Sequence, residues 1–171
     1  MARMHSRKKG KSGSHKPVKK IQRSWIIYQS KEVEKLVFNK LPTENMIYVG
    51  NLDLNPGERD FFNNKKIKNI DRSELLKNKR NVIKDFKKFV SSFKYLHVTF
   101  DIDFLNKIQA PATGIPSENG PMVEDIEELL DIIRKHPNLS FDLTEVNPQK
   151  AGIKKTIQSA HKVLLKSLKP L

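Results

Sequence analysis

From Met46 onward the apolar positions switch repeatedly between two spacings. MIYVGN (46–51) is a short apolar run ending in Gly50-Asn51, which predicts a buried strand and its exit turn. Val82, Ile83, Phe86, Phe89, Val90 and Phe93 then recur at helical spacing with lysines opposite, which predicts an amphipathic helix. YLHVTFDID (95–103) is rich in β-formers and ends in acids, so it reads as a second strand. A loop with Pro111, Gly114, Pro116, Gly120 and Pro121 follows. Over about Met122 to Lys135 a helix is predicted, with Val123, Ile126, Leu130 and Ile133 on one face. Acids crowd its first half, and Arg134 and Lys135 close it, matching the helix dipole. LSFDLTEV (139–146) is a third strand. A last helix is expected to bury Ile153, Ile157, Ala160, Leu164 and Leu168. Strands alternating with helices, joined by long crossovers, predict an α/β fold built on a parallel sheet with flanking helices.

Ligands in such sheets gather beyond the carboxyl ends of the strands. Asp101 and Asp103 close one strand and Glu145 closes the next. With a side-chain period of two, Asp101 and Asp103 can point the same way while Ile102 points oppositely. Two carboxylates so placed can grip a hard or borderline divalent cation. An isolated Asp-x-Asp is more often a pair of loop-capping acids, so this pattern alone decides little.

Charge divides the chain. The net charge is +14, but residues 1–40 hold twelve Lys/Arg against two acids, while the remainder holds 21 against 17. A nearly balanced domain (42–171) thus follows a basic segment (1–41). The first 23 residues carry nine Lys/Arg and no acid, with Gly10, Gly13 and Pro17 opposing helix, which predicts an extended arm able to lie along phosphates. No apolar run reaches the roughly 20 residues of a membrane span. There is no secretory apolar stretch either, so a cytoplasmic location is expected. The chain has no cysteine, which removes disulfides, thiolate metal sites and thiol nucleophiles.

Particular residues go further than these patterns. HVTFDIDFLN, APATGIP and FDLTEVNP, in this order, and IYVGNLDLNPGERDFF upstream, resemble the C-terminal half of the arginase/agmatinase-type ureohydrolase family over about 46–168. That resemblance implies part of a three-layer α/β fold. It also implies manganese-dependent hydrolysis of a guanidino compound with release of urea. Asp101 and Asp103 match the family's metal-ligating Asp-x-Asp, and Glu145 matches the acid that meets the substrate guanidinium. Separately, MARMHSRKKGKSGS, Lys16-Pro17, Ser24-Trp25 and SKEVEKLV resemble the start of an archaeal/eukaryotic-type small-subunit ribosomal protein of the uS-fifteen family. This implies RNA contacts by Arg3, His5, Arg7, Lys8, Lys9 and Lys11, followed by a short helix from Trp25 through Val37.

Departures from the ureohydrolase pattern qualify its activity. Asn106-Lys107 stand where the family has Asp-Pro, Ile115 replaces a threonine of the substrate loop, and Asn119-Gly120-Pro121 replaces a Gly-Gly turn. The first-half ligands, a His and an Asp-x-His-x-Asp, have no counterpart among His5, His15, His97, His136 and His161. His97 precedes Asp101 by about 13 Å of strand at roughly 3.3 Å per residue, too far to share its metal, and is expected to be at least half buried. His136 is expected simply to end a helix. The sequence therefore predicts a partial, weakly metal-binding site, inactive alone or dependent on a complementary half, in a chimeric chain. An incomplete sheet with an open edge predicts self-association. The alternative is a ribosomal RNA-binding component whose arm is the functional part.

Overall fold

The structure is a computed structural model that describes residues 41–51 and 56–168. Four strands and five α-helices are described: β1 (Ile47–Asn51), α1 (Pro56–Lys65), β2 (Lys68–Asp71), α2 (Arg72–Lys77), α3 (Lys79–Ser91), β3 (Leu96–Asp101), α4 (Glu127–Arg134), β4 (Leu139–Thr144) and α5 (Ile153–Ser167). Short 3-10 turns at Ile102–Phe104 and Val123–Ile126 follow β3 and precede α4.

The strands form two separate parallel ribbons, β1 with β2 and β3 with β4. In the second ribbon six positions pair without a break, from Leu96 opposite Leu139 to Asp101 opposite Thr144. Alternation gives this ribbon one apolar face. Phe100 stacks on Phe141 there, with ring centroids 6.3 Å apart. The opposite face is polar, with His97, Thr99, Ser140 and Asp142. In the first ribbon the register shifts between Val49 and Asn51, so Gly50 is a bulge rather than the start of a turn.

The core lies where the helices cover these ribbons. Val82, Phe86 and Val90 of α3 meet Ile126, Leu130 and Ile133, and fully buried Ile102 and Leu105 join them from the segment after β3. The two predicted stripes on these helices are therefore the buried ones. The α5 stripe is not. Its buried residues are Thr156, Ser159, Ala160, Val163 and Ser167, while Ile157 is 54% exposed and Leu168 40%. The helix is rotated by about one residue because its hydroxyls bond the central loop. Thr156 Oγ1 accepts the Ala112 N–H at 2.9 Å, and Ser159 Oγ donates to the Gln109 carbonyl at 2.7 Å.

Two histidine expectations also change. His97 is exposed rather than half buried, because it sits on the polar face, bonded to Ser140 and Asp142. His136 does more than end a helix: it is buried, and each ring nitrogen lies 3.0 Å from a carbonyl, of Asn138 and of Phe93.

Asp71 ends β2 and caps α2. Its Oδ1 accepts the Glu74 N–H at 2.7 Å and the Ser73 hydroxyl at 2.8 Å, and these bonds hold its pKa below the ordinary carboxylate value. Asp71→Ala is expected to cost about 1 kcal/mol in denaturant unfolding, the usual loss for such a cap. Because the folded pKa is lowered, the unfolded chain takes up the proton first as pH falls. The contribution is thus present above the unfolded value near 3.8 and lost below it, and the variant should show less acid destabilisation than the parent.

Candidate active site at the carboxyl ends of β3 and β4

β3 stops at Asp101, and Ile102–Phe104 turn as a 3-10 helix. Asp103 is therefore not on the strand, and the period-of-two placement does not hold. What holds the two acids together is a turn: Asp101 Oδ1 accepts the Asp103 N–H at 3.0 Å. Ile102 at the turn's centre is wholly buried, and Asp103 is only 5% exposed. The two residues are linked by this turn, anchored by buried Ile102, rather than by strand alternation.

Glu145 follows Thr144, which pairs with Asp101, so it leaves the neighbouring strand at the same end. Its φ is +65°, a left-handed conformation that costs a side-chain-bearing residue on the order of 1 kcal/mol. The next residue, Val146, forms an antiparallel bridge with Thr113, and the Asn147 N–H donates to the Ala112 carbonyl at 2.9 Å. Lys150 Nζ donates to the Gly114 carbonyl at 2.9 Å. The APATGIP loop is thus stitched to the segment after β4, which brings it alongside the carboxylates. At its far end Ile115 is exposed.

Asn106 and Lys107 have a structural role. Asn106 Oδ1 accepts the Ile108 N–H at 2.9 Å, and its amide donates to the Glu118 carbonyl at 2.8 Å. An aspartate could not donate the second bond. The Lys107 ammonium pairs with the Glu118 carboxylate. Arg72, the first residue of α2, donates to Ser117 Oγ at 3.0 Å. No sequence pattern singles out Arg72 or Ser117, which are 45 residues apart along the chain.

A manganese ion prefers several oxygen and imidazole donors. Here Asp101 and Asp103 offer hard carboxylates, but among the described residues no group of three or more His, Cys, Asp or Glu converges as a metal shell. The donors present do not fit a two-metal centre. Arg3, His5, Arg7, Lys8, Lys9 and Lys11, and the helix expected from Trp25, lie outside the described residues. Among the described residues no helix is long and apolar enough to cross a membrane.

A sequence profile described as the arginase family matches residues 15–169. The chain belongs to the arginase family. The arginase of Staphylococcus aureus is 30% identical over 122 residues, 69% of this chain and 40% of that protein. The Neurospora crassa arginase is 26% identical over 114 residues, 66% of this chain and 32% of that one. The chain therefore spans about 40% or less of the length of these relatives. Among solved structures, Entamoeba histolytica arginase, in complex with L-ornithine, superposes with a TM-score of 0.73 at 21% identity, covering 81% of this chain and 47% of that one. Bacillus subtilis formimidoylglutamase gives 0.64 at 17%, over 73% and 40%. The fold is thus a partial arginase-family α/β fold, with four described strands in two ribbons where sequence patterning predicts three.

Proposed function

We propose that this chain carries part of a guanidino-hydrolysing site of the ureohydrolase kind and does not turn over by itself. Asp101 and Asp103 are the residues offered to manganese, and Glu145 is the residue offered to a substrate guanidinium. The observation that carries this reading is the register of β3 on β4, which puts the Asp101–Asp103 turn and Glu145 at one end of adjacent strands. A carboxylate facing a guanidinium makes charge-assisted hydrogen bonds, often in pairs. The strained backbone at Glu145 supports the assignment, since strain of this kind concentrates where a side chain is needed in one place. The arginase solved with L-ornithine supports a substrate of amino-acid size.

Metal uptake tests the partial nature of the site. A manganese titration followed by electron paramagnetic resonance of the free ion is expected to show shallow uptake without a stoichiometric break. Asp101→Asn and Asp103→Asn should each reduce it further. Tight uptake of two ions by the chain alone would overturn the reading.

The composition of the first 23 residues supports a second activity, RNA binding by the arm, consistent with its ribosomal resemblance and a domain boundary near residue 41. Affinity is expected to fall with salt by a slope of roughly 0.7 per phosphate neutralised. A chain lacking residues 1–23 that binds RNA as well as the whole would count against it. Self-association through open strand edges follows from the main proposal, because a partial fold leaves strand edges without neighbours.

A further inference from the structure

Charge is shared unevenly within the folded part, not only between it and the arm. Residues 56–95 carry twelve Lys/Arg against five acids, whereas residues 101–168 carry eight against ten. The two groups also use their cations differently. In the later one Lys107, Lys135, Lys162 and Lys166 are ion-paired, with Glu118, Asp131, Glu124 and Glu127. In the earlier one α3 holds five cations. Lys79 is paired, 3.3 Å from Glu128. Arg80, Lys84, Lys87 and Lys88 are exposed, and among the described residues none of the four is in an ion pair.

Spacing puts these four on one side. Positions 80, 84, 87 and 88 recur at i, i+4, i+7 and i+8, a single helix face turned away from buried Val82, Phe86 and Val90. The row spans about 12 Å, eight residues at roughly 1.5 Å each. Asp85 is the one acid on the helix. With Lys68 of β2, Lys88, Phe89 and Ser92 it lines a shallow hollow of about 310 Å³, so Lys68 adds a fifth cation beside the row. Just beyond the end of α3, Tyr95 is 69% exposed, and the Lys94 ammonium stands 5.3 Å from its ring centroid. A lysine row by itself would be a solvated helix face. This one lacks the acidic partners that the other helices supply, and an exposed aromatic ring follows it.

We propose that the outer face of α3, with Lys68 beside it and Tyr95 beyond its end, binds single-stranded nucleic acid. Phosphates release their counterions to the cations, and an unpaired base stacks on the tyrosine; this combination holds single strands without a sequence preference. A duplex keeps its bases stacked inside and leaves such a ring unused. An anionic bilayer matches poorly. Helices that lie on bilayers insert apolar side chains beside their lysines, and no large apolar residue of α3 is exposed. This surface lies in the folded part, apart from the RNA-binding arm proposed above and from the carboxylate site, and it binds whether or not either of those acts.

The test is fluorescence anisotropy of a labelled single-stranded oligouridylate with the full chain over a range of salt. In a triple variant, Lys84→Gln with Lys87→Gln and Lys88→Gln, the salt slope is expected to fall by about 2, at roughly 0.7 per phosphate contact. An equal loss of charge elsewhere, Lys135→Gln with Lys154→Gln and Lys155→Gln, is the control and should keep the slope. Tyr95→Ala should weaken oligouridylate binding about fivefold or more, the lower end of what one base stack contributes, and Tyr95→Phe should not. Polyglutamate, a polyanion without bases, should bind more weakly than oligouridylate and be indifferent to Tyr95→Ala. Thermal melting confirms that the variants fold. The proposal is overturned if the triple variant behaves like its control, or if Tyr95→Ala binds oligouridylate as the parent does. It is equally overturned if polyglutamate or phosphatidylserine vesicles are held as tightly as oligouridylate. Deleting residues 1–23 separates the surface from the arm. Binding abolished by the deletion but untouched in the triple variant leaves the arm and overturns the surface. Binding untouched by the deletion but lost in the triple variant upholds the surface and sinks the arm reading alone.

Discussion

Incubated alone with arginine or agmatine in excess manganese, this chain is expected to release urea no faster than the same buffer with Asp101→Ala or Asp103→Ala protein. Hydrolysis of a guanidino carbon at neutral pH needs a water made strongly nucleophilic, and a two-metal clamp acidifies and positions it through both ions. Asp101 at the end of β3, already accepting a backbone N–H, and Asp103 on the following 3-10 turn would supply at most a fraction of such a shell. In the role proposed for it, Glu145 would orient a guanidinium, but orientation without a nucleophile gives binding and no product. Turnover by the parent that vanishes in both variants would show a working site and defeat the proposal. Turnover appearing only with the complementary arginase portion would support it.

Gly120→Ala is expected to be strongly destabilising. A Cβ there would stand 2.3 Å from both the Leu105 carbonyl carbon and the Asn106 nitrogen, backbone atoms that no rotamer change can move. Leu105 is fully buried, and the Asn106 N–H donates to the Pro121 carbonyl at 2.9 Å, so the two strands of this loop are pinned together on both sides of the glycine. Overpacking of this kind costs about 3 kcal/mol. That corresponds to roughly 10 °C in the melting midpoint of a domain this size. Neighbouring Asn119 is exposed, and Asn119→Ala is the control that should leave the midpoint in place. A midpoint within about 1 °C of the parent for Gly120→Ala would refute the argument, since surface substitutions without such a clash stay within about 0.5 kcal/mol.

Elements with a strong apolar rhythm are legible in the amino-acid sequence. The stripe from Val82 to Phe93 and that from Val123 to Ile133, on a 3-10 turn and the helix after it, are turned to the core, and all three expected strands are present. β2 and α2 are not legible, because KNIDRSELLK offers too few apolar residues for a period to emerge; Ile70 and Leu75 alone are buried there. The rhythm of α5 reveals a helix but points to the wrong face, since Thr156 and Ser159 look like solvent residues until the loop they bond is known. Residue types and their order reveal the family. The candidate site's geometry is hidden from them: the Asp101–Asp103 pair is held by a turn, and Asn106, an apparent loss of a carboxylate, is a fastening for the Glu118 strand of the loop.

The bonds between α5 and the Gln109–Gly114 segment give that segment an unusual mechanical status. Hydroxyl-to-backbone bonds at Thr156 and Ser159 specify both the rotation and the axial position of the helix, where an apolar stripe would tolerate a slip of one turn. Gly152 adds a fixed stop, its missing Cβ occupied by Pro111 at 2.5 Å. Opening this segment therefore means breaking bonds to α5 or moving α5 with it, so the helix on the sheet's flank acts as a mooring for the loop beside the carboxyl ends of the strands.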